Sequence, residues 1–137
     1  MTRVFADTFF FLAVLNRRDP SHEKALRFYG DPNLHFVTTE WVLSEVANAS
    51  SAPAVRPGFK RLFDLLERDT RVQIVPASHD SFRRGLEFYF DRPDKEWSFT
   101  DCASFRVMNE EGIEQALTGD HHFAQAGFRI LLGTPTD

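Results

Sequence analysis

Short β-type runs alternate with longer helical ones along the whole chain, and this alternation constrains the fold more than any other feature. Arg3-Val4-Phe5-Ala6 reads as a strand, followed at once by an apolar segment over residues 8–15. Pro20 opens a second helix in which His22, Ala25, Leu26 and Tyr29 follow an i, i+3, i+4, i+7 stripe, and Gly30 ends it. Residues 35–38 read as a second strand and 40–49 as the helix after it, while 50–58 (SSAPAVRPG) reads as a loop. Phe59, Leu62, Phe63 and Leu66 repeat the helical stripe. Residues 72–75 form a strand stopped by Pro76, and the long helix that follows is expected to carry Phe82, Leu86, Tyr89 and Phe90 on one face. Another helix runs from about Phe99 to Glu111, with Gly112 as its stop. Residues 115–118 make a fourth strand, 120–126 a short helix and 129–132 a last strand. Strands separated by helices predict an α/β fold, a parallel sheet covered on both faces.

The length fits one domain over residues 1–137, because a compact domain usually takes about 100–200 residues. Hydrophobic residues are 42% of the chain and include 15 Phe, enough bulk for a core without staples. Cys102 is the only cysteine, which excludes an intrachain disulfide and a Cys-based zinc site and fits a reducing, cytoplasmic setting. The longest apolar run, Phe9 to Leu15, is far short of the ~20 residues of a membrane span. No basic segment precedes it, so a signal peptide is not expected. The net charge of −4 argues against a protein that holds nucleic acid by charge alone. The 13 Arg and 3 Lys are scattered rather than in runs, so any contact with nucleic acid has to be local or assisted by bound cations.

In an open α/β sheet the ligand crevice lies beyond the carboxyl ends of the strands. Asp7 directly follows the first strand, Asp120 follows the fourth, Asp101 begins a helix after Ser98, and Glu45 lies in the helix past the second strand. Each aspartate also has a plain structural explanation. Asp7 and Asp120 are each placed to cap a helix, and Ser98-Phe99-Thr100-Asp101 fits a capping box. Glu45 projects inside the apolar arc of its helix, where a carboxylate is costly without a partner. Four carboxylates in one cleft repel one another unless a cation neutralises them. Oxygen-only ligands suit a hard ion such as Mg²⁺ or Mn²⁺, and such a site serves phosphodiester hydrolysis.

Other chemistries have less support. His121 and His122 lack the spacing of a zinc pair on one helix face, and His22, His35 and His79 are isolated. There is no Gly-rich phosphate loop and no nucleophile elbow. Cys102 reads as a small packed residue. An aspartyl phosphatase of the haloacid-dehalogenase type needs a second Asp where this chain has Phe9, and a receiver domain needs a late lysine where none follows Lys95.

The sequence resembles a PIN domain, and more narrowly the VapC-type toxin ribonucleases of bacterial toxin–antitoxin pairs. Val4-Phe5-Ala6-Asp7-Thr8 before an apolar helix is similar to the family's opening motif, and Leu43-Ser44-Glu45-Val46 to its glutamate-bearing helix. Ser98-Phe99-Thr100-Asp101-Cys102-Ala103 resembles the third motif, and residues 117–123 (LTGDHHF) with Ala126-Gly127-Phe128 the closing one. Asp19-Pro20 and His22 also look like the family's start of the second helix. The position after Asp101, more often alanine in the family, is Cys102, close to it in size. The resemblance implies a three-layer fold around four or five parallel strands and an acidic metal site of Asp7, Glu45, Asp101 and Asp120, the residues that carry catalysis. Thr8 and Thr118 or Ser98 would support it. It further implies an endoribonuclease using Mg²⁺ or Mn²⁺ on RNA, a homodimer, and a cognate antitoxin as partner. The competing expectations are a non-catalytic dimeric scaffold or RNA-binding protein, in which the acids only cap helices, and a solitary RNA-processing nuclease. Trp41, Phe59 and Phe63 are candidates for the antitoxin surface, with ordinary core as the competing reading.

Overall fold

In the computed structural model, which describes residues 1–133, five strands form one sheet: β1 (Thr2–Ala6), β2 (Leu34–Thr39), β3 (Val72–Val75), β4 (Gln115–Leu117) and β5 (Arg129–Ile130). The last four positions of the expected 1–137 domain lie outside the described residues. Every pairing is parallel and the order is β3-β2-β1-β4-β5. Val4, Phe5 and Ala6 of the central strand are all buried, as a strand covered on both faces requires.

Helices α1 (Thr8–Leu15) and α2 (His22–Tyr29) carry the chain from β1 to β2, and α3 (Glu40–Ala49) and α4 (Arg56–Arg68) from β2 to β3. Helices α5 (His79–Asp91) and α6 (Phe99–Glu111) lead to β4, and the short α7 (His121–Gln125) leads to β5. The first three strands step outward in one direction and the last two in the other. The connection therefore reverses between β1 and β4, which opens a crevice at their carboxyl ends.

The phenylalanines fill both layers. Phe36 pairs with Val4, while Phe5 pairs with Val37, so Phe36 and Phe5 point to opposite faces of the sheet. On the first face Phe10 stacks on Phe36 and meets Phe11 and Tyr29 edge-on. On the other, Phe5 packs on Phe123, which meets Phe105, and Phe105 contacts Trp97 and Phe88. Each fully buried phenylalanine contributes about 1.5–3 kcal/mol of transfer free energy.

The element order follows the sequence reading, with three differences. Helix α4 begins at Arg56, inside the segment read as a loop, because Pro57 sits in its first turn, where its missing N–H costs nothing. In α2 the packed face runs through Ala25, Phe28 and Tyr29, and Leu26 is exposed. In α5 the expected aromatic face is turned outward: Phe82, Tyr89 and Phe90 are exposed, while Ser81 and Gly85 are buried. A Cβ at Gly85 would lie 2.9 Å from the Phe99 ring of α6, so the two helices meet through the smallest residue on that face.

Candidate active site

Four backbone features bring four acids to the β1/β4 crevice. Asp7 leaves β1 at the N-cap position of α1, yet its side chain makes no cap hydrogen bond. It instead accepts a hydrogen bond from Thr118 Oγ1 at 2.9 Å, across the crevice from the end of β4. The same Thr118 oxygen accepts the Asp120 amide at 3.0 Å, so one hydroxyl fixes two acids. Gly119 lies between them because nothing larger fits: a Cβ there would be 2.4 Å from the Leu132 carbonyl oxygen and 2.6 Å from Phe9.

Asp101 and Asp120 keep their capping roles as well. Ser98 and Asp101 form a reciprocal capping box at the start of α6, with Ser98 N donating to Asp101 Oδ2 at 3.2 Å. Asp120 caps α7 by accepting the His122 amide at Oδ1. Capping therefore positions these two acids. Glu45, on α3, accepts from Thr8 Oγ1 at 2.6 Å through Oε1. That bond supplies the partner its half-buried position demands. Of the expected supporting residues, Thr8 bonds Glu45, Ser98 bonds Asp101, and Thr118 bonds both Asp7 and Asp120.

The result is an open cleft of about 520 Å³ lined by Asp7, Glu45, Asp101 and Asp120, with Thr8, Phe9, Glu96, Ser98 and His122. Among the described residues no Lys or Arg lines it. Burial, foremost, pushes the Asp7 carboxyl up to about 7; the Asp101 and Asp120 charges add to this, and the Thr8 amide and Thr118 hydroxyl oppose it. Asp101 is also raised, first by burial and then by Asp120, against the Ser98 amide and His122. Such a cluster of oxygen donors, with no Lys or Arg among the described residues to neutralise it, fits a hard divalent cation. Asp120, His121 and His122 also bring three potential donor atoms within 4.8 Å of one another, although His121 is exposed.

Two lining residues carried little signal in the sequence. Glu96 sits in the α5–α6 connection with no periodicity to place it. His122 lacks the spacing of a zinc pair with His121, yet its Nδ1 lies 3.2 Å from Asp101 Oδ2 and 3.5 Å from Asp120 Oδ1. The Asp-x-His spacing beside a helix N-cap was the available clue. Cys102 is buried, and its thiol is pushed up to about 11 chiefly by burial, which makes it an inert packed residue. Trp41 donates to Ser81 and stands edge-on to Phe99, while Phe59 and Phe63 are partly buried along the α3–α4 groove. Among the described residues no helix is long and apolar enough to cross a membrane.

The chain is similar to known proteins over most of its length. It is 29% identical over 130 residues to the 23S rRNA-specific endonuclease VapC20 of Mycobacterium tuberculosis, spanning 91% of this chain and 95% of the relative. The crystal structure of that protein, described as a sarcin-ricin loop cleaving toxin, superposes with a TM-score of 0.80 at 26% identity over 91% of this chain and 95% of the other. A Rickettsia felis VapBC2 structure, determined with a DNA fragment from its promoter, shares the fold at a TM-score of 0.68 and 14% identity, over 95% of this chain and 98% of that one. The PIN domain profile matches residues 4–129, a span that holds all four acids. The α/β architecture and the five parallel strands agree with these matches, and the chain belongs to the PIN-domain family.

Proposed function

We infer that the protein is a metal-dependent endoribonuclease of the VapC type, in which Asp7, Glu45, Asp101 and Asp120 hold one or two divalent cations, Mg²⁺ or Mn²⁺. The observation that carries this is the crowding of four carboxylates from four elements around a cleft that, among the described residues, no Lys or Arg lines. Asp7 is buried there against both other aspartates, with its pKa raised to about 7. An arrangement of this kind is unfavourable on its own and favourable around a cation.

The chain's own groups orient the acids. Thr118 holds Asp7 Oδ2, Thr8 holds Glu45 Oε1, Ser98 and His122 hold Asp101 Oδ2, and the His122 amide holds Asp120 Oδ1. In each case the bond reaches one oxygen of the carboxylate, and the other is what remains for a cation. The chemistry a divalent ion supplies in such a site, when bound, is acidification of water and neutralisation of charge on a phosphate. Two such ions would also offset the formal net charge of −4 in front of a polyanionic substrate.

VapC20 is specific for 23S rRNA and is described as a toxin. By likeness to it, this chain is read as the toxin of a two-component pair with a cognate antitoxin as partner, and 23S rRNA is the first substrate to test. Purified protein, freed of any co-purifying partner, should cut end-labelled bacterial RNA into discrete products with Mg²⁺ or Mn²⁺. EDTA and the Asp7→Asn variant should each abolish the products. Cutting that persists in EDTA or in the variant would remove the assignment, and a folded protein that cuts nothing would favour the non-catalytic reading.

A further inference from the structure

His122 touches carboxylates that belong to two different elements. Its ring Nδ1 is 3.2 Å from Asp101 Oδ2, in the first turn of α6, and 3.5 Å from Asp120 Oδ1, at the N-cap of α7. Its own amide donates to Asp120 Oδ1 at 2.9 Å. The ring is half-buried in the wall of the cleft. Asp101 and Asp120 lie 19 positions apart in sequence (120 minus 101) and repel each other. The other bonds to these two acids, from Ser98 and from the Asp120 amide to Thr118, stay within one element or its flanking turn. The imidazole is what spans the gap between them.

We propose that His122 is a positioning residue for the cation site: its imidazole, carrying hydrogen on Nδ1, ties Asp101 to Asp120 and sets the separation of their cation-facing oxygens. A carboxylate acceptor fixes that tautomer and the ring plane. The assignment rests on the nuclease reading for its consequence in catalysis, but not for its consequence in metal binding. It also separates His122 from His121, whose ring is exposed and lies 3.8 Å from Asp120 alone.

Two substitutions test it. His122→Asn keeps an N–H close to the Nδ1 position, whereas His122→Leu fills similar space and donates nothing. The first readout is the Mn²⁺ dissociation constant of the RNA-free protein, from the free-ion electron paramagnetic resonance signal. The second is kcat and KM on end-labelled 23S rRNA, and thermal melting in EDTA checks folding. Partners that orient metal ligands are typically worth about 10–100-fold in metal affinity or activity. His122→Leu should therefore weaken Mn²⁺ binding at least about tenfold and lower kcat in step. At a Mn²⁺ concentration that saturates the variant, KM for RNA should stay within about twofold, and His122→Asn should recover most of both losses.

A folded His122→Leu protein that binds Mn²⁺ like the wild type overturns the proposal. So does a folded His122→Asn protein as impaired as the leucine variant, since that result makes the imidazole itself a ligand or proton carrier. Should His122→Leu fail to fold, His122→Asn against wild type still decides, because the proposal requires near-wild-type Mn²⁺ affinity from it. Wild-type protein that binds Mn²⁺ but cuts no RNA would count against the nuclease reading and leave the Mn²⁺ comparison standing as the test of positioning.

Discussion

Asp7 is the residue on which stability and activity pull against each other. Its carboxyl is buried, and its pKa rises from an ordinary 3.8 to about 7. The native state therefore holds a proton that the unfolded chain releases. The associated stability is fully present below about pH 4, falls as pH rises toward 7, and is absent above. Three pKa units correspond to on the order of 4 kcal/mol as an upper bound. Asp7→Asn keeps an acceptor for Thr118 and removes the charge. In EDTA the variant should therefore melt higher than the wild type at pH 8, by several degrees, with the gap closing near pH 4. Divalent cation should raise the melting temperature of the wild type far more at pH 8 than at pH 4, and that of the variant little at either. Scanning calorimetry across this pH range checks both signs, and a variant that is less stable than wild type at pH 8 in EDTA would contradict them. The three aspartates were legible in the sequence because each abuts a strand end or a helix start, and Glu45 because it falls inside the apolar arc of α3. Thr8 and Thr118 enter through the family resemblance, but which acid each holds is not legible, since the bonds to Glu45 and Asp7 span 37 and 111 positions of sequence.

At the scale of elements, the placement of Asp101 depends on how closely α5 approaches α6. No strand leads into Asp101; the helix that presents it is held through Phe99, which packs on Trp41 and Phe82 and against Gly85. Gly85→Leu would press a branched side chain into a ring already 2.9 Å from the first added carbon. Overpacking of this kind costs about 1–3 kcal/mol, set against roughly 1 kcal/mol gained from leaving glycine out of a helix. The net result should be a lower urea midpoint, together with reduced cleavage because the first turn of α6 shifts. An unchanged midpoint would mean that α5 moves without cost. This interface also explains what sequence periodicity missed. A stripe of large apolar residues marks a buried face only when burial is achieved by bulk. In α5 the packed face runs through Ser81, Gly85 and Phe88, while Tyr89 and Phe90 face outward and the exposed Phe82 packs only at a tilt against Trp41 and Phe99. Strands were simpler to place, since Val4, Phe5 and Ala6 form an unbroken apolar run that only a doubly covered strand accommodates.

For the molecule as a whole, charge and topology make opposite demands. The reversal of strand order between β1 and β4 places the crevice where a ligand is expected in this kind of sheet. The chain nevertheless fills that crevice with carboxylates and carries a net charge of −4. Several of its cations are already occupied: Arg84 and Arg106 with Glu110, Arg71 with Asp69, and Arg92 with Asp94. An RNA backbone approaching the metal-free cleft meets like charge at the point where phosphate must sit, and among the described residues no Lys or Arg lines that cleft to compensate. RNA affinity should thus depend on the divalent ion before any bond is broken. Ca²⁺, an oxygen-binding ion of looser geometry than Mg²⁺, lets binding be measured apart from cleavage. At about 0.15 M monovalent salt, where surface charge is screened beyond roughly 8 Å, a gel-shift titration with 23S rRNA should show a complex in Ca²⁺. In EDTA the complex should be at least about tenfold weaker, and the Asp7→Asn variant should lose most of the difference. Equal retention of RNA in Ca²⁺ and EDTA would place the RNA on a basic surface away from the cleft, and would separate binding from the acidic site altogether.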